Sequence, residues 1–336
     1  MKQRALDFYL CANCSSTQLK VVDEGDIPYN AYEEILQSSL ICDNCGTVFP
    51  VINGVPRFVP LENYADTFGL QWNFHTRTQL DSHTGLPISR NRLFQTTGWQ
   101  TISPLARKEM DGQIILEAGS GAGRFTEILL ETGAEVFSFD YSSAVDANWQ
   151  NNGHSPKLHI FQGNIYDIPL RKCSFDKVLY LGVLQHTPDP EKAFKSLCQY
   201  LRSGGEIVID VYCKRLSSLL HWKYLFRPLT KRMNKERLYN IIQAIVPILL
   251  PPAIYLRRIA GKFGTRLLPI TEYSNLELPY ELNKQWSILD TFDMYAPVYD
   301  KPQTLLQVKK WFNDAGLEDI FIGYGSNGII GRGKKP

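Results

Sequence analysis

Ile114-Ile115-Leu116-Glu117-Ala118-Gly119-Ser120-Gly121-Ala122-Gly123-Arg124-Phe125-Thr126 decides the fold of this 336-residue chain. An apolar strand carrying one carboxylate runs into three glycines spaced two apart, and a helical pattern follows. Glycines let the backbone turn tightly and approach a ligand without a Cβ in the way. The helix that follows adds free N–H groups at its start. A crevice of this kind, at the C-terminal edge of a parallel sheet, holds nucleotide-like ligands. The spacing speaks against two common alternatives. A dinucleotide fingerprint starting at Gly119 or Gly121 needs glycine at 124 or 126, where Arg124 and Thr126 stand. A P-loop needs Lys and then Ser or Thr after its last glycine, and that pair is absent.

Downstream, apolar runs of strand length alternate with helical patterns. Strands are expected at 135–140, 158–162, 177–181 and 206–211, with helices at 125–132, 143–151 and 190–201. Such alternation predicts βαβ units and a parallel sheet, an α/β fold with helices on both faces. A break at 214–270 is followed by a helix at 302–315, ended by Gly316, and two short strands at 319–324 and 328–331.

The Glu-x-Gly-x-Gly-x-Gly pattern resembles motif I of class I S-adenosylmethionine-dependent methyltransferases, which have a Rossmann-like sheet. Three later features resemble the same family in the same order. The strand 135–140 ends in Asp140, Gly163-Asn164-Ile165 follows the next strand, and Leu181-Gly182-Val183-Leu184-Gln185-His186 follows the one after. A Leu201-Arg202-Ser203-Gly204-Gly205 turn precedes strand five, where the family commonly has Leu-Lys-Pro-Gly-Gly. The likeness covers about 112–212 and returns at 302–331.

The resemblance implies S-adenosylmethionine as cofactor. Glu117 and Gly119 would hold its methionine portion, and Gly121 and Gly123 would shape the loop. Asp140, a pure acceptor when ionised, suits two vicinal ribose hydroxyls, with Tyr141 packing near the adenine. Asn164 and Ile165 would face the adenine, the family more often having Asp at 164. Leu181 and Gln185 would lie near the sulfonium and its amino-acid tail. His186 titrates in a range suited to a base on an oxygen or nitrogen acceptor. A structural histidine packed on the loop is the plainer alternative.

Cys11-Ala12-Asn13-Cys14 and Cys42-Asp43-Asn44-Cys45 are two C-x-x-C pairs, the pattern of a four-thiolate zinc site. The gap exceeds the usual spacing of about 15–20 residues, and a loop at 23–37 accounts for it. No thioredoxin-like βαβ pattern surrounds either pair, so a structural zinc ribbon is expected at 1–60. Val48–Pro56 resembles the zinc ribbon fused to, or partnering with, some methyltransferases.

The aromatic, polar stretch 61–105 resembles the cap of a bacterial subgroup with the same ribbon, which implies that it folds over the cofactor with Trp72, Arg77 and Gln79 pointing inward; plain packing of its aromatics against the core is the alternative. The methyltransferase domain proper is expected at 106–336, with a helical insertion at about 214–300. Within it, 214–266 carries twelve lysines and arginines against Glu236 alone. Its apolar stretch 238–256 is interrupted by Pro247, Pro251 and Pro252. A lid over a hydrophobic acceptor ranks first for this segment. Contact with an anionic membrane surface ranks second, and a homodimer contact remains open.

The formal charge of +2 gives no global argument for nucleic acid. The N-terminal stretch is too short and polar for a secretory signal, and no run of about 18 uninterrupted apolar residues appears, so a spanning helix is not expected. The default expectation is a cytoplasmic enzyme, with peripheral attachment to the inner face of the membrane as the variant of it. It would methylate a small-molecule, lipid-linked or glycan acceptor. An RNA or protein methyltransferase using the ribbon for its target, and a scaffold without turnover, are the alternatives.

Overall fold

The computed structural model describes residues 1–22, 34–60, 63–102, 110–214 and 222–336, apart from the side chain of Lys262. Most of the expected ribbon loop, the start of the expected methyltransferase domain at 106–109, and Arg215 of the basic segment lie outside the described residues.

Two sheets organise the chain. A small antiparallel sheet, β1 (Leu19–Val21), β2 (Ser38–Cys42), β3 (Val48–Ile52) and β4 (Val55–Pro56), forms the cysteine-bearing module. The large sheet comprises β5 (Ile114–Ala118), β6 (Glu135–Asp140), β7 (Leu158–Gln162), β8 (Phe175–Tyr180), β9 (Leu201–Val211), β10 (Glu318–Gly325) and β11 (Gly328–Lys334). Its order is β10-β11-β9-β8-β5-β6-β7. β5 to β9 pair in parallel, and β11 runs antiparallel between β9 and β10. The order reverses at β5, which has β6 on one side and β8 on the other, so a crevice opens there at the carboxyl ends of the strands.

The side-chain alternation of the strands sorts the core into two layers. Ile115, Val136, Ile160, Leu179 and Val208 face α3 (Ile88–Thr97), α4 (Arg124–Glu131) and α5 (Ala144–Asn152), packing on Leu93, Ile128, Leu129 and Val145. Leu116, Phe137, Phe139, Phe161, Ile207 and Ile209 face the other way. There α6 (Pro190–Cys198) and α10 (Leu305–Asp314) contribute Phe194, Trp311 and Phe312.

The chain passes from β7 to β8 without a helix, leaving the β6–β7 part of that second layer uncovered. The cysteine module covers it. Phe8 packs on Phe137 and Phe175, and Tyr9 and Phe58 close on Phe161. Leu10 N–H donates to the Pro169 carbonyl (3.0 Å), and Arg171 N–H to that of Phe8 (2.9 Å). Phe58 N–H donates to the Gln162 carbonyl (2.9 Å), so the exposed edge of β7 is capped rather than left as a pairing template. One hydrophobic cluster runs from Met1 through the module into the sheet.

Between the two sheets lie α1 (Asp66–Phe74) and α2 (Asp81–Thr84), followed by α3. After β9 come α7 (Trp222–Thr230), α8 (Lys235–Gly264) and α9 (Tyr280–Tyr295). Two local expectations are corrected. Leu201–Gly205 belongs to β9 itself, with a register irregularity opposite Phe175–Lys177 and Gly204 at φ +73°, so it is a kinked strand start and not a turn. The three prolines do not break α8, although Gly261 does, at φ 56°. Each proline strands the carbonyl four residues earlier, at 243, 247 and 248. Those residues lie on the exposed or half-exposed side of the helix, where water satisfies the freed oxygens.

Because Phe58 is 7% exposed and wedged between Tyr9, Phe49 and Phe161, Phe58→Ala should cost about 3–5 kcal/mol. Urea unfolding followed by circular dichroism and by tryptophan fluorescence should show coincident transitions, both shifted. A module that unfolds separately, with the sheet's transition unmoved, would refute the shared core.

Candidate active site

The glycine loop is fixed from behind. Gly119 and Ser120 N–H groups donate to the Phe139 carbonyl (2.7 and 3.0 Å), and Gly121 N–H donates to Asp140 Oδ2 (3.1 Å). Gly119, Gly121 and Gly123 all have positive φ. A Cβ on Gly121 would sit 3.0 Å from the Trp72 ring, and one on Gly123 would strike Asn148 and Asn152 of α5. Gly121 is therefore open toward the crevice, whereas Gly123 lets two helices approach.

Above the loop is one continuous cavity of about 1350 Å³. Of the sequence-derived residues, Gly119, Gly121, Asp140, Tyr141, Ile165, Leu181 and His186 line it. Tyr141 lies against Tyr64, ring centroids 4.9 Å apart. Asp140 also accepts from Ser142 N–H (2.9 Å) and Oγ (2.7 Å), and burial pushes its carboxyl above the usual range.

Three residues are placed elsewhere. Glu117 shares the side of β5 that faces α4 and α5; its Oε2 accepts from Thr126 and Ser138 hydroxyls, and its Oε1 has no partner among the described residues. Burial pushes it up to about 7, the two hydroxyls only partly offsetting this. Asn164 accepts from Tyr166 N–H (3.0 Å) and does not line the cavity. Gln185 is buried and donates to the Gly182 carbonyl (2.7 Å), its Oε1 unpartnered among the described residues. In the lead-in, Trp72 and Gln79 line the cavity as expected, but Arg77 is exposed and does not.

His186 stands at the cavity wall with its ring against Phe68 and Tyr212. Its Nδ1 lies 3.1 Å from the Tyr299 carbonyl. An oxygen there requires the proton on Nδ1, which leaves Nε2 as an acceptor. Burial lowers its pKa, which favours the neutral ring.

Sequence reading missed the far wall. Asp290 and Asp293 of α9, Tyr212 after β9, Tyr273, Arg92 and Arg124 all line the same cavity. Arg124 donates to Gln79, Gln79 to Asp290 Oδ1 (3.5 Å), and Tyr273 OH to Asp290 Oδ2. Arg92 pairs with Asp210 (2.9 Å), and Tyr212 OH donates to Asp293 (3.3 Å). Burial, with Asp293 adding repulsion, pushes Asp290 up to about 6 despite the Tyr273 hydrogen bond.

At the cysteine module, Cys11 Sγ lies 3.5 Å from Cys45 Sγ, and Cys14 Sγ 3.6 Å from Cys42 Sγ. All four sulfurs lie within 4.8 Å of one another. These separations suit a tetrahedron with arms near 2.3 Å, whose edge is ~3.8 Å, and they are far too long for disulfides. Asn44 Nδ2 donates to Cys14 (3.5 Å), and hydrogen bonds from Thr47 bring the Cys45 thiol down to about 6. The cluster is compatible with zinc.

The strand order, the reversed β11 and the glycine crevice define a class I methyltransferase fold, and residues 116–209 match the methyltransferase domain family. The chain carries an S-adenosylmethionine-dependent methyltransferase domain. A ubiquinone biosynthesis O-methyltransferase of Coxiella burnetii is 25% identical over 201 residues, 56% of this chain and 81% of that protein. An uncharacterised Synechococcus protein is 33% identical over 106 residues; they make up 30% of this chain and only 25% of its relative. Among solved structures, human N-acetylserotonin methyltransferase in complex with SAM aligns at TM-score 0.43 and 14% identity, over 82% of this chain and 60% of that one.

Two outcomes check the site. Gly121→Val should abolish S-adenosylhomocysteine binding in calorimetry, because its branched side chain meets Trp72 in a left-handed backbone conformation; unaltered affinity would displace the ligand from this loop. Glu117 has its pKa raised on folding, so its proton is bound more tightly in the native state, and stability falls as pH rises from about 4.5 to about 7. Glu117→Gln should flatten that part of a thermal-midpoint profile against pH, and an unchanged slope would show that Glu117 does not contribute it.

Proposed function

We propose that the protein methylates an oxygen of a small-molecule or lipid-linked acceptor, glycans included, whose reacting end is polar. The observation that carries this reading is the wall of Asp290, Asp293, Tyr212, Tyr273 and His186 sharing one cavity with the glycine loop. A hydrogen-bonding wall that carries two carboxylates suits a hydroxylated group better than the phosphates of an RNA strand. The likeness to an O-methyltransferase supports oxygen as the acceptor atom.

S-adenosylmethionine supplies a methyl on a sulfonium, a leaving group that needs no activation. The protein's task is to align the acceptor and take its proton. The glycine loop, Asp140, Tyr141 and Ile165 hold the cofactor. His186 Nε2 accepts the proton of the acceptor hydroxyl, and the Tyr299 carbonyl holds the ring in the required tautomer. Asp290 and Asp293 accept hydrogen bonds from neighbouring acceptor hydroxyls. Zinc, held by Cys11, Cys14, Cys42 and Cys45, is proposed as a staple that keeps the module closed against β7.

Incubating the protein with methyl-labelled cofactor and fractionated cell extract tests the acceptor class. Label should enter the small-molecule or lipid-soluble fraction, and label confined to RNA or protein would overturn the reading. His186→Asn should reduce turnover about 10²–10⁴-fold while S-adenosylhomocysteine binding stays at the wild-type level. Full activity in that variant removes His186 as the base.

For the metal, analysis should find one zinc per chain, and Cys42→Ser should release it. The thermal midpoint of the whole protein should fall with it, since metal binding and folding are coupled. Zinc-free protein with the wild-type midpoint would refute the staple.

A further inference from the structure

One surface is used by nothing above. Among the described residues, ten of the eighteen exposed large apolar side chains fall between Leu225 and Leu267. On α8 they follow the helical period. Ile241, Ile245, Ile248, Tyr255 and Ile259 recur every three to seven residues, which at 100° per residue places them within one narrow stripe. Ile248 is 72% exposed and Ile259 66%. The opposite face of the same helix, Leu238, Tyr239, Ile242, Val246, Leu250 and Ala253, is buried in a cluster with Ile288 and Phe292 of α9.

Lys235–Gly261 is long and apolar enough to cross a bilayer, which the expectation from uninterrupted runs had missed, but 33% of its most apolar window is buried inside the fold. A helix with a third of that window packed inside its own protein cannot be surrounded by lipid. It can lie flat on a surface. The charges choose which surface. No acidic residue occurs between Glu236 and Glu272, while Arg237 and Arg258 bracket the stripe and Lys231, Arg232 and Arg266 lie just beyond its ends. Arg237, Arg258, Lys231 and Arg232 make no ion pair among the described residues. A second copy of the same stripe would bring these cations together, whereas anionic headgroups neutralise them.

We infer that α8 docks in the plane of an anionic membrane surface, with Ile241, Ile245, Ile248, Tyr255 and Ile259 in the headgroup layer and Arg237 and Arg258 on lipid phosphates. Trp222 Nε1 donates to the Arg266 carbonyl, which ties α7, with exposed Leu225 and Leu229, to the same end of the helix. Arg266 also lines the cavity, so docking sets the rim of the acceptor site at the lipid surface. Binding to lipid requires no turnover, and so it stands or falls apart from the methyl-transfer reading.

The test is sedimentation of the full chain with phosphatidylcholine vesicles and with vesicles that also contain phosphatidylglycerol. The protein should pellet with the second and not the first, and added salt should release it. The double variant Ile248→Glu/Ile259→Glu should lower partitioning at least about tenfold and keep wild-type S-adenosylhomocysteine binding, since neither side chain touches the core or the cavity. Arg237→Glu/Arg258→Glu should lower it as well. Vesicle binding unaffected by both variants would overturn the proposal. So would a wild type that ignores anionic vesicles, whether it is a monomer or a dimer that Ile248→Glu/Ile259→Glu dissociates.

Discussion

The hydrogen bond from Gly121 N–H to Asp140 holds the end of β5 to the end of β6 at the point where the strand order reverses. It does two things at once. It fixes a backbone that only glycine adopts without strain, and it holds one carboxylate oxygen in place at the crevice wall. Asp140 is buried with its charge disfavoured, and the N–H and O–H donors from Gly121 and Ser142 are what offset that desolvation. Glu117 plays the matching part below the loop. Its link to Thr126 and Ser138, both bonded in turn to Asn148, seats α4 and α5 on the sheet. The two carboxylates of the motif thus act on opposite sides of the same turn, one toward the ligand space and one toward the core.

The absence of a crossover helix between β7 and β8 imposes a second constraint. It would leave Phe137, Phe139 and Phe161 facing water. The first eleven residues and Phe58 supply the missing apolar layer, and Arg57 adds hydrogen bonds to Asp146 and Gln162. The cysteine cluster sits at the far end of that layer. Four thiols are brought to one point in a module whose own sheet is small, and whose apolar side chains share the core of the large sheet.

The centre of the sheet was legible in the sequence because β5, β6, β7 and β8 are buried on both faces and read as short apolar runs, and because the glycine spacing is specific. The places of Asp140, Ile165, Leu181 and His186 on the cavity wall follow from the sheet, since each sits at or shortly after the carboxyl end of a strand. Glu117 was recognised but placed on the wrong side of the turn, since a motif records a residue's position and not the face its strand turns outward. Arg77 was expected inward because it lies among aromatics, yet it falls where the chain leaves α1 and points to solvent. The prolines of α8 looked like breaks. Pattern alone does not reveal that their freed carbonyls sit on an exposed side, where water can satisfy them.

The far wall was invisible for a deeper reason. Apart from Gln79, which was expected inward, it is assembled from four separate parts of the sequence: Arg92 of α3, Arg124 of α4, Tyr212 after β9, and Tyr273, Asp290 and Asp293 of the insertion. The pieces are held together by contacts between lead-in and insertion: Tyr239 OH and His75 Nε2 share a hydrogen bond (2.9 Å), Trp286 Nε1 donates to the Thr78 carbonyl (2.7 Å), and Lys235 pairs with Asp66 (3.0 Å). Inside this frame the charges are interdependent. Removing Arg124 would leave Gln79 Oε1 short of a donor, and removing Asp290 would leave Gln79 Nε2 and Tyr273 OH without their acceptor. A buried charge that loses its partner is costly, so no single member can drift without the others. The wall's composition is therefore set by mutual neutralisation as much as by the acceptor, and a change of acceptor would require several of these positions to change together.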